Sequence, residues 1–313
     1  MNFADNCLVD SLVSDINLEC LNPTSQNTYQ PADIARLMDC EMSLGIVPLL
    51  KAVRQEYFVY NVDVDIVAGK TAYTFPPRAI GNAMRDIVLL DASGNEVALN
   101  QLMREYIKVQ FPFNFVPSIW SFGQYMSGNE VNLYNTLIQS YTAYKLRFIT
   151  ERRPNSLVLS ANCGKISAIT GNILTLSYVD PTWTTSDVFD VINPLPPFQS
   201  IVDDLTISLI NGFQVTVSSV AGLAKGQWFC PAGLACIPQI PYELFPLLKS
   251  MTVQTIAEAL DMSQLASSTA KKVEEYKSNA LTLARPRVAG SPKVIINRDN
   301  FGASGMTRGN TWR

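Results

Sequence analysis

Apolar residues recur at helical spacing near the N-terminal end of the chain. Between Pro31 and about Glu56 they lie on one face of an α-helix, at Ile34, Leu37, Met38, Met42, Ile46, Leu49, Leu50 and Val53. Pro31 suits the first turn of such a helix, since its fixed φ is already helical. Gly45 and Pro48 fall inside the segment and predict a kink or a break there.

Two further helices are predicted near the C-terminal end. The first begins after Pro241 and keeps apolar residues on one face as far as Leu260, and the second runs from about Ser263 to Leu283. Neighbouring helices of this kind pack as an antiparallel pair. A short apolar stripe near the start of the chain predicts one or two more helical turns, at Leu8, Leu12, Val13 and Ile16.

Between these helical segments the apolar period changes to two, which is typical of β-strands. Val62, Val64 and Ile66, for example, alternate with acidic or outward positions. The predicted strands are 62–66, 73–75, 87–90, 131–134 and 141–150. A short helix is predicted over 99–110, and residues 111–128 are irregular and rich in aromatic side chains.

The sequence also contains an internal similarity at an offset of 41 residues. Residues 166–171 match 207–212, and residues 174–177 match 215–218. Each copy has the pattern strand, glycine turn, strand, which predicts a β-hairpin. Two such hairpins would close on each other as a small barrel or sandwich. The alternative is that two hairpins rich in Ile, Val and Thr look alike without a shared architecture.

These elements predict an α+β fold in which helices from both chain ends meet, because one amphipathic helix cannot bury its apolar face alone. The expected parts are an N-terminal arm (1–30), a discontinuous helical domain made of the N-terminal helix and the C-terminal helix pair (31–58 and 238–285), a long antiparallel β insertion consisting of a β domain (59–158) and a hairpin-repeat subdomain (159–237), and an extended C-terminal tail (286–313).

Charge is scarce in this chain. It has 24 Lys and Arg and 27 Asp and Glu among 313 residues, or 16% charged, against roughly 25% in a typical globular protein. The ordinary apolar content excludes disorder of the whole chain. The net charge of −3 argues against a strongly basic nucleic-acid binder. The sequence has no histidine, which excludes Ser-His-Asp, Cys-His and imidazole-zinc chemistry within the chain.

No motif predicts catalysis, a cofactor or a metal. The six cysteines have no CxxC spacing and are expected to be reduced thiols, although a Cys230–Cys236 bridge is sterically conceivable. Residues 163–166 lack the leading glycine and the hydroxyl of a phosphate-binding loop. Asp203 and Asp204 are adjacent and point apart, so they form no acid/base dyad. The chain is therefore expected not to be an enzyme, and we also expect neither a signal peptide nor a membrane span.

The densest aromatic run has two interpretations. Its candidate interface aromatics are Phe111, Phe113, Phe115, Trp120 and Phe122. Such residues would suit a surface that stacks on sugars or bases, but only Lys108 provides a cation within the run. Packing in a core or at a subunit interface is the alternative.

The end of the chain is cationic. From Gly290 onward it carries Lys293, Arg298, Arg308 and Arg313 against the single acidic residue Asp299. It could be a disordered end, an arm that touches DNA, or a segment that becomes ordered on a partner. The apolar residues 294–296 and the penultimate Trp312 favour the last, as a strand that adds to a sheet and an aromatic anchor.

The succession of several short motifs resembles the head-to-tail connector (adaptor) proteins of tailed bacteriophages. The motifs are residues 73–91 with Pro76, Pro77 and Arg78, then Leu146-Arg147, then Arg152-Arg153-Pro154-Asn155, then residues 237–248 beginning Ile237-Pro238-Gln239-Ile240-Pro241, and finally residues 284–288 followed by Pro292-Lys293-Val294. The resemblance spans about residues 31–298. Order and spacing carry it, since none of the motifs is catalytic.

The resemblance implies a structural protein of the virion, located at the head-tail junction and assembled in the host cytoplasm. Such adaptors form a ring, usually of about twelve copies, that binds the portal protein through helices, extends the DNA channel and offers an attachment surface to tail or nozzle proteins. DNA passes through without specific binding, and no membrane or cofactor is involved. The residues implied to bind the portal or a neighbouring subunit are Arg285, Arg287, Lys293, Val294, Ile295, Ile296, Arg298, Phe301 and Trp312. The competing hypothesis is a β-rich tail component that binds host carbohydrate.

Overall fold

The computed structural model describes residues 7–20, 29–54, 56–67, 69–98, 100–101, 123–134 and 144–284. Within these residues the protein has an α+β fold, as predicted, with helices near both chain ends and strands between them. The helices are α1 (Val9–Glu19), α2 (Pro31–Glu41), α3 (Val47–Val53), α4 (Phe245–Ala259) and α5 (Ser263–Ala284).

The predicted break in the first long helix is a π-helical segment, Met42–Ile46, that joins α2 to α3. Pro48 lies in the first turn of α3, and because the backbone before it is also helical, its missing N–H removes one hydrogen bond to the preceding turn, which the π-helical segment occupies. At the other end Pro31 opens α2, and the N–H of Gln30 donates to the Asp33 carboxylate over 3.2 Å. Pro31 is thus the first residue of α2 and Pro48 the second residue of α3, and the wider π turn joins the two helices.

All five helices bury apolar side chains in one hydrophobic cluster. Ile16 of α1, Met38 of α2 and Leu248 of α4 are fully buried there. α4 packs against α1, α2 and α5, and α3 also contacts α5. The stripe predicted to form one or two turns is the three-turn helix α1, with Leu12, Val13 and Ile16 facing the cluster. Helices from the two ends of the sequence therefore share a core.

The first half of the β region consists of two sheets over a second core. One has the order β1-β8-β3-β4 and the other β2-β7-β6-β5. The strands are β1 (Val59–Asp65), β2 (Ala72–Thr74), β3 (Ala79–Leu90), β4 (Glu96–Ala98), β5 (Asn100–Gln101), β6 (Gly123–Ser127), β7 (Glu130–Tyr134) and β8 (Lys145–Arg152). Tyr73, Leu89, Val131 and Phe148 fill the core between them.

Two details of the β region differ from expectation. The helix predicted over 99–110 is wrong for Asn100 and Gln101, which form β5, and the rest of that segment lies outside the described residues. The strand pairing is antiparallel as predicted except in two short pairs. β5 runs parallel to β6, and β9 (Ser156–Leu157) runs parallel to β16 (Leu234–Ala235). Both exceptions involve two-residue strands joined by long connections, which local periodicity cannot reveal.

The internal similarity forms a closed six-stranded barrel with the order β10-β11-β14-β13-β12-β15. Its strands are β10 (Gly164–Thr170), β11 (Ile173–Leu176), β12 (Val188–Ile192), β13 (Ser200–Asn211), β14 (Gln214–Val217) and β15 (Trp228–Pro231). Of the two closures that the sequence left open, the structure has the barrel.

The two copies are related by a pseudo-twofold arrangement. The N–H of Leu176 donates to the carbonyl of Phe213 over 2.8 Å, and the N–H of Val217 donates reciprocally to Asn172 over 2.9 Å. Both hairpins have a β-bulge after Ile166 or Ile207, and both turn at a glycine with positive φ. The bonds and bulges of one copy recur in the other, so the similarity reflects repeated structure.

The repetition extends beyond the hairpins to a third strand in each copy. The N–H of Thr184 donates to the Asp187 carboxylate over 2.7 Å, and the N–H of Ala224 donates to Gln227 Oε1 over 2.8 Å. β12 and β15 follow these turns and pair with each other. Phe189 of β12 stacks on Phe229 of β15 inside the barrel, with ring centroids 4.6 Å apart. Each copy is therefore a three-stranded unit, and two units close the barrel.

Gly164, at the start of β10, allows the chain to pass close to a neighbouring backbone. A Cβ atom at this position would lie 2.5 Å from the carbonyl oxygen of Tyr178, which cannot rotate away. We expect Gly164→Ala to lower the free energy of unfolding by about 1–3 kcal/mol. Chemical denaturation monitored by circular dichroism measures this change.

Gly45 provides the matched control. A Cβ there would lie 2.3 Å from the terminal methyl of Met251, the end of a flexible side chain. Alanine also favours helical backbone over glycine. We therefore expect Gly45→Ala to cost less than Gly164→Ala, and equal losses in the two variants would contradict the proposed backbone clash.

Candidate functional site

The residues that the sequence assigned to partner binding lie outside the described residues. This applies to the tail residues Arg285, Arg287, Lys293, Val294, Ile295, Ile296, Arg298, Phe301 and Trp312, and to the aromatics Phe111, Phe113, Phe115, Trp120 and Phe122. Their assigned roles stay predictions. Helix α5 ends at Ala284, directly before the first of the tail residues.

The most extensive polar site of the described residues is a junction network between the β1-β8-β3-β4 sheet, the barrel and the segment that leads to α4. It comprises Tyr60, Arg78, Arg152, Asn155, Asp190, Ser200, Asp203, Asp204 and Gln239. Its centre is a bidentate pair in which Arg78 Nη1 donates to Asp190 Oδ2 over 2.6 Å and Nη2 donates to Oδ1 over 2.9 Å.

Asp190 lies in β12 and is fully buried. Besides Arg78, its carboxylate accepts hydrogen bonds from Asn155 Nδ2 at 2.7 Å, the N–H of Gly233 at 2.9 Å and the N–H of Asp204 at 3.2 Å. An ionised carboxylate can be buried when a cation and hydrogen-bond donors replace its water. Both oxygens of Asp190 are saturated in this way.

The backbone of β13 is shaped to reach this carboxylate. Asp204 has a φ of 53°, a left-handed conformation that aspartate tolerates better than most residues. There its N–H points to Asp190, and its own carboxylate accepts from Arg78 Nη2 over 2.6 Å. The unusual backbone therefore adds both a donor and a second acceptor to the network.

A second arginine extends the network to the sheet. Arg152, at the end of β8, donates from Nη1 and Nη2 to the two oxygens of Asp203 over 2.5 and 2.6 Å. The hydroxyl of Tyr60 donates to the same carboxylate over 2.6 Å, and its ring lies beneath the guanidinium at 5.1 Å. Burial, together with the hydrogen bond to Asp203, raises the pKa of Tyr60 to about 12. The phenol thus stays protonated and remains a donor at physiological pH.

Amide side chains link the network to the segment that enters the helices. The N–H of Asn155 donates to Gln239 Oε1 over 2.7 Å, and Gln239 Nε2 donates to the Ser200 hydroxyl over 3.2 Å. Arg152 Nη2 donates to the same hydroxyl over 2.9 Å. A single hydrogen-bonded system therefore connects the sheet, the barrel and the chain that begins α4.

The chemistry of this site is that of a structural junction. Its two arginines face three aspartates, and each of the three carboxylates is engaged by an arginine. Two clefts, of about 430 and 140 Å³, share Tyr60 and Arg152 in their walls, and neither is lined by an activated nucleophile.

Sequence reasoning found this site only in part. Arg78, Arg152 and Asn155 belong to the motifs that resemble the adaptor family, but the sequence did not predict what their side chains contact. Asp190 was missed, although an aspartate inside the apolar run 188–192 is a signal for a buried, paired carboxylate.

A second buried cluster was also missed. The thiols of Cys163, Cys230 and Cys236, here called the thiol cluster, lie within 4.8 Å of one another. None of the six cysteines forms a disulfide, so the conceivable Cys230–Cys236 bridge is not formed. Hydrogen bonds from Cys230 and Cys236 lower the pKa of Cys163 to about 5, whereas burial raises the pKa of Cys230 and of Cys236.

Large apolar side chains also lie on the surface. Leu44, in the π-helical segment, is 80% exposed, and Leu18 of α1 is 76% exposed. On the barrel, Ile173, Thr216 and Leu209 are paired across three adjacent strands. Directly paired residues point to the same side of a sheet, so the exposed Ile173 and Leu209 belong to one outer row. Thr216 lies between them and is half-buried, so this row presents two apolar side chains on one outer surface of the barrel.

Comparison of the sequence with models of known protein families and with curated proteins finds no match. No helix among the described residues is long and apolar enough to cross a membrane. The functional conclusion must therefore be drawn from the residues themselves.

The junction network predicts a large effect of one substitution. Arg78→Ala would leave the buried Asp190 carboxylate without its cation, so we expect the free energy of unfolding to fall by about 3–5 kcal/mol. Urea denaturation of the full chain, followed by tryptophan fluorescence, measures the loss.

Arg85 offers a surface control. It forms a bidentate pair with Glu56 over 2.7 and 2.9 Å, and Glu56 is largely exposed. Exposed ion pairs contribute little to stability. Arg85→Ala should therefore cost only a small fraction of the Arg78→Ala loss, and similar losses in both variants would show that Asp190 does not depend on its buried cation.

Proposed function

We propose that this protein is a ring-forming head-to-tail adaptor of a tailed bacteriophage, a structural virion protein and not an enzyme. The observation that carries the proposal is the succession of motifs from Tyr73 to Val294 in the order and spacing of that family. In this role the ring binds the portal protein, extends the DNA channel and offers tail or nozzle proteins a surface. The proposed location is the head-tail junction of the virion, after assembly in the host cytoplasm.

The packing of the helices supports this role. α1 and α2 contact α4, and α3 contacts α5, so helices from both sides of the β region share a core, while the described strands β1 to β16 lie between them in the sequence. We propose that these helices act as one discontinuous domain that docks on the portal, with the β parts towards neighbouring subunits and the tail. A subunit that presents different surfaces to its two neighbours forms heterologous contacts, which close into a ring when the rotation allows.

The composition supports the same role. Because the chain has few charged residues, it can bury large interfaces without leaving unpaired ions in them. A slightly acidic chain also gains little affinity from phosphate neutralisation, which dominates nonspecific DNA binding. DNA would therefore pass through a ring of such subunits without being held by it.

The junction network gives the subunit the rigidity that this role requires. The core of the sheets and the core of the barrel are separate hydrophobic clusters, so apolar packing alone would allow the sheet to move relative to the barrel. The bidentate pairs of Arg78 with Asp190 and of Arg152 with Asp203 fix the sheet to the barrel by geometry-specific contacts. A movement of the subunit at the portal would then be passed on towards the tail through the connected sheet and barrel.

The exposed Leu44 is the described residue best suited to a helical docking surface. We expect Leu44→Asp to weaken binding to the portal protein encoded by the same phage genome, because a charge would have to be buried at the interface. Co-purification of the two proteins and electron microscopy of assembled rings measure binding and assembly.

Leu195 is the matched control, since it is 67% exposed and lies in the loop after β12, outside the helices. Leu195→Asp should leave portal binding unchanged. Equal weakening by both substitutions, or by neither, would contradict docking through the helices.

The tail makes a separate prediction. Deletion of residues 290–313 should abolish joining to the portal because the cationic, Trp-containing end is expected to become ordered on a partner. Far-ultraviolet circular dichroism should show that the deleted chain keeps its β structure. Portal binding at the level of the full chain would remove the tail from the proposed interface.

A further inference from the structure

The thiol cluster is set apart from the other cysteines by its geometry. Cys163 directly precedes β10, Cys230 lies in β15, and Cys236 follows β16 on the way to α4. Three separate chain segments thus bring their sulfur atoms within 4.8 Å of one another. All three residues are buried in the cluster that the helices share with the outer side of the barrel.

We propose that Cys163, Cys230 and Cys236 bind a structural Zn²⁺ ion. Zinc–sulfur bonds of about 2.3 Å in a tetrahedral site place pairs of sulfur atoms about 3.8 Å apart, and the three sulfur atoms of the thiol cluster lie within 4.8 Å of one another. Thiolates are also the soft ligands that favour Zn²⁺ over Mg²⁺ or Ca²⁺. Binding replaces the thiol protons, which are released to solvent, and changes no oxidation state.

We assign the fourth ligand to Cys7, whose thiol lies outside the group within 4.8 Å and would have to shift to reach the ion. The N–H of Val9 donates to the carbonyl oxygen of Cys236 over 2.9 Å, which holds the start of α1 against this segment. Cys7 lies two residues earlier, is half-buried and packs against the same hydrophobic cluster. A fourth thiolate would close the coordination sphere, as structural zinc sites require.

With Cys7, the proposed ion would tie the start of α1 to the barrel and to the segment before α4, a link that the junction network does not include. Its ligands precede β10, lie in β15, precede α4 and, with Cys7, precede α1. The site therefore ties one side of the barrel to the N-terminal and C-terminal helices. Asp190 ties the other strand of the β12–β15 pair to the sheet through Arg78.

The position of Cys230 in the repeat strengthens this interpretation. Cys230 is paired directly with Asp190 across β12 and β15, and the two are equivalent positions of the two three-stranded units. Both face away from the barrel interior and both are fully buried. One of the two equivalents has an ionic partner in the described structure, and Zn²⁺ would supply a comparable partner to the other.

The test uses the full chain, purified under reducing conditions without chelator. Elemental mass spectrometry should find about one Zn²⁺ per chain. After exchange into Co²⁺, the protein should show the thiolate-to-cobalt charge-transfer and visible bands of a tetrahedral thiolate site. Addition of Zn²⁺ to the apo-protein should raise its melting temperature.

Substitutions locate the site. Cys163→Ala and Cys236→Ala should lose the metal, and Cys7→Ala should weaken binding. Cys20→Ala, which removes a buried cysteine outside the thiol cluster, and Cys40→Ala, which removes an exposed one, should keep it. The cobalt spectrum of the unsubstituted chain decides the question even if a cluster variant fails to fold.

Three results would overturn the proposal. One is a reduced, folded chain that takes up neither Zn²⁺ nor Co²⁺ stoichiometrically. Another is metal content that is the same in Cys163→Ala and Cys20→Ala. The third is a mass two hydrogens lower than expected, mapped by peptide analysis to a Cys230–Cys236 disulfide. None of these depends on portal binding, so the site and the adaptor role can fail separately.

Discussion

The fold depends on one buried ion pair. The carboxylate of Asp190 has no exposed surface and lies where three parts of the chain meet, and the guanidinium of the half-buried Arg78 is its cationic partner. Arg78 stands in the short connection between β2 and β3, and Asp190 stands in the barrel. The requirement to neutralise this carboxylate therefore sets the position of the sheet relative to the barrel, in a way that apolar packing alone would not.

The strand pair β12–β15 explains how one barrel can serve two cores. Phe189, Val191 and Phe229 point into the barrel, whereas Ile192, Trp228 and Cys230 belong to the helical cluster. The sequence of a strand that is buried on both faces is typically a continuous apolar run. Residues 188–192 form such a run except for Asp190. Asp190, the charged exception, pairs with Arg78 and so links the barrel to the β1-β8-β3-β4 sheet.

Local signals in the sequence predicted the helices, most strands and the repeat. The i, i+3, i+4 spacing after Pro31 and the Gly45–Pro48 break correspond to α2, the π-helical segment and α3. The hairpin similarity predicted repetition and left the closure open between a barrel and a sandwich, because the choice depends on pairs such as β10 with β15, which are distant in sequence. The sites could not be found in this way. Arg78 and Asp190 are 112 residues apart, and the thiol cluster has no metal-binding spacing.

The closure of the barrel has a consequence for strand exchange. A closed barrel satisfies its backbone N–H and C=O groups around the full ring, so it has no edge strand to which another chain could pair. Among the described strands, the two four-stranded sheets do have ends, at β1 and β4 in one and at β2 and β5 in the other. Within the described part of the chain, β-augmentation by another copy or by a partner would use the ends of those sheets or of the short β9–β16 pair, whereas a partner of the barrel would contact its side chains.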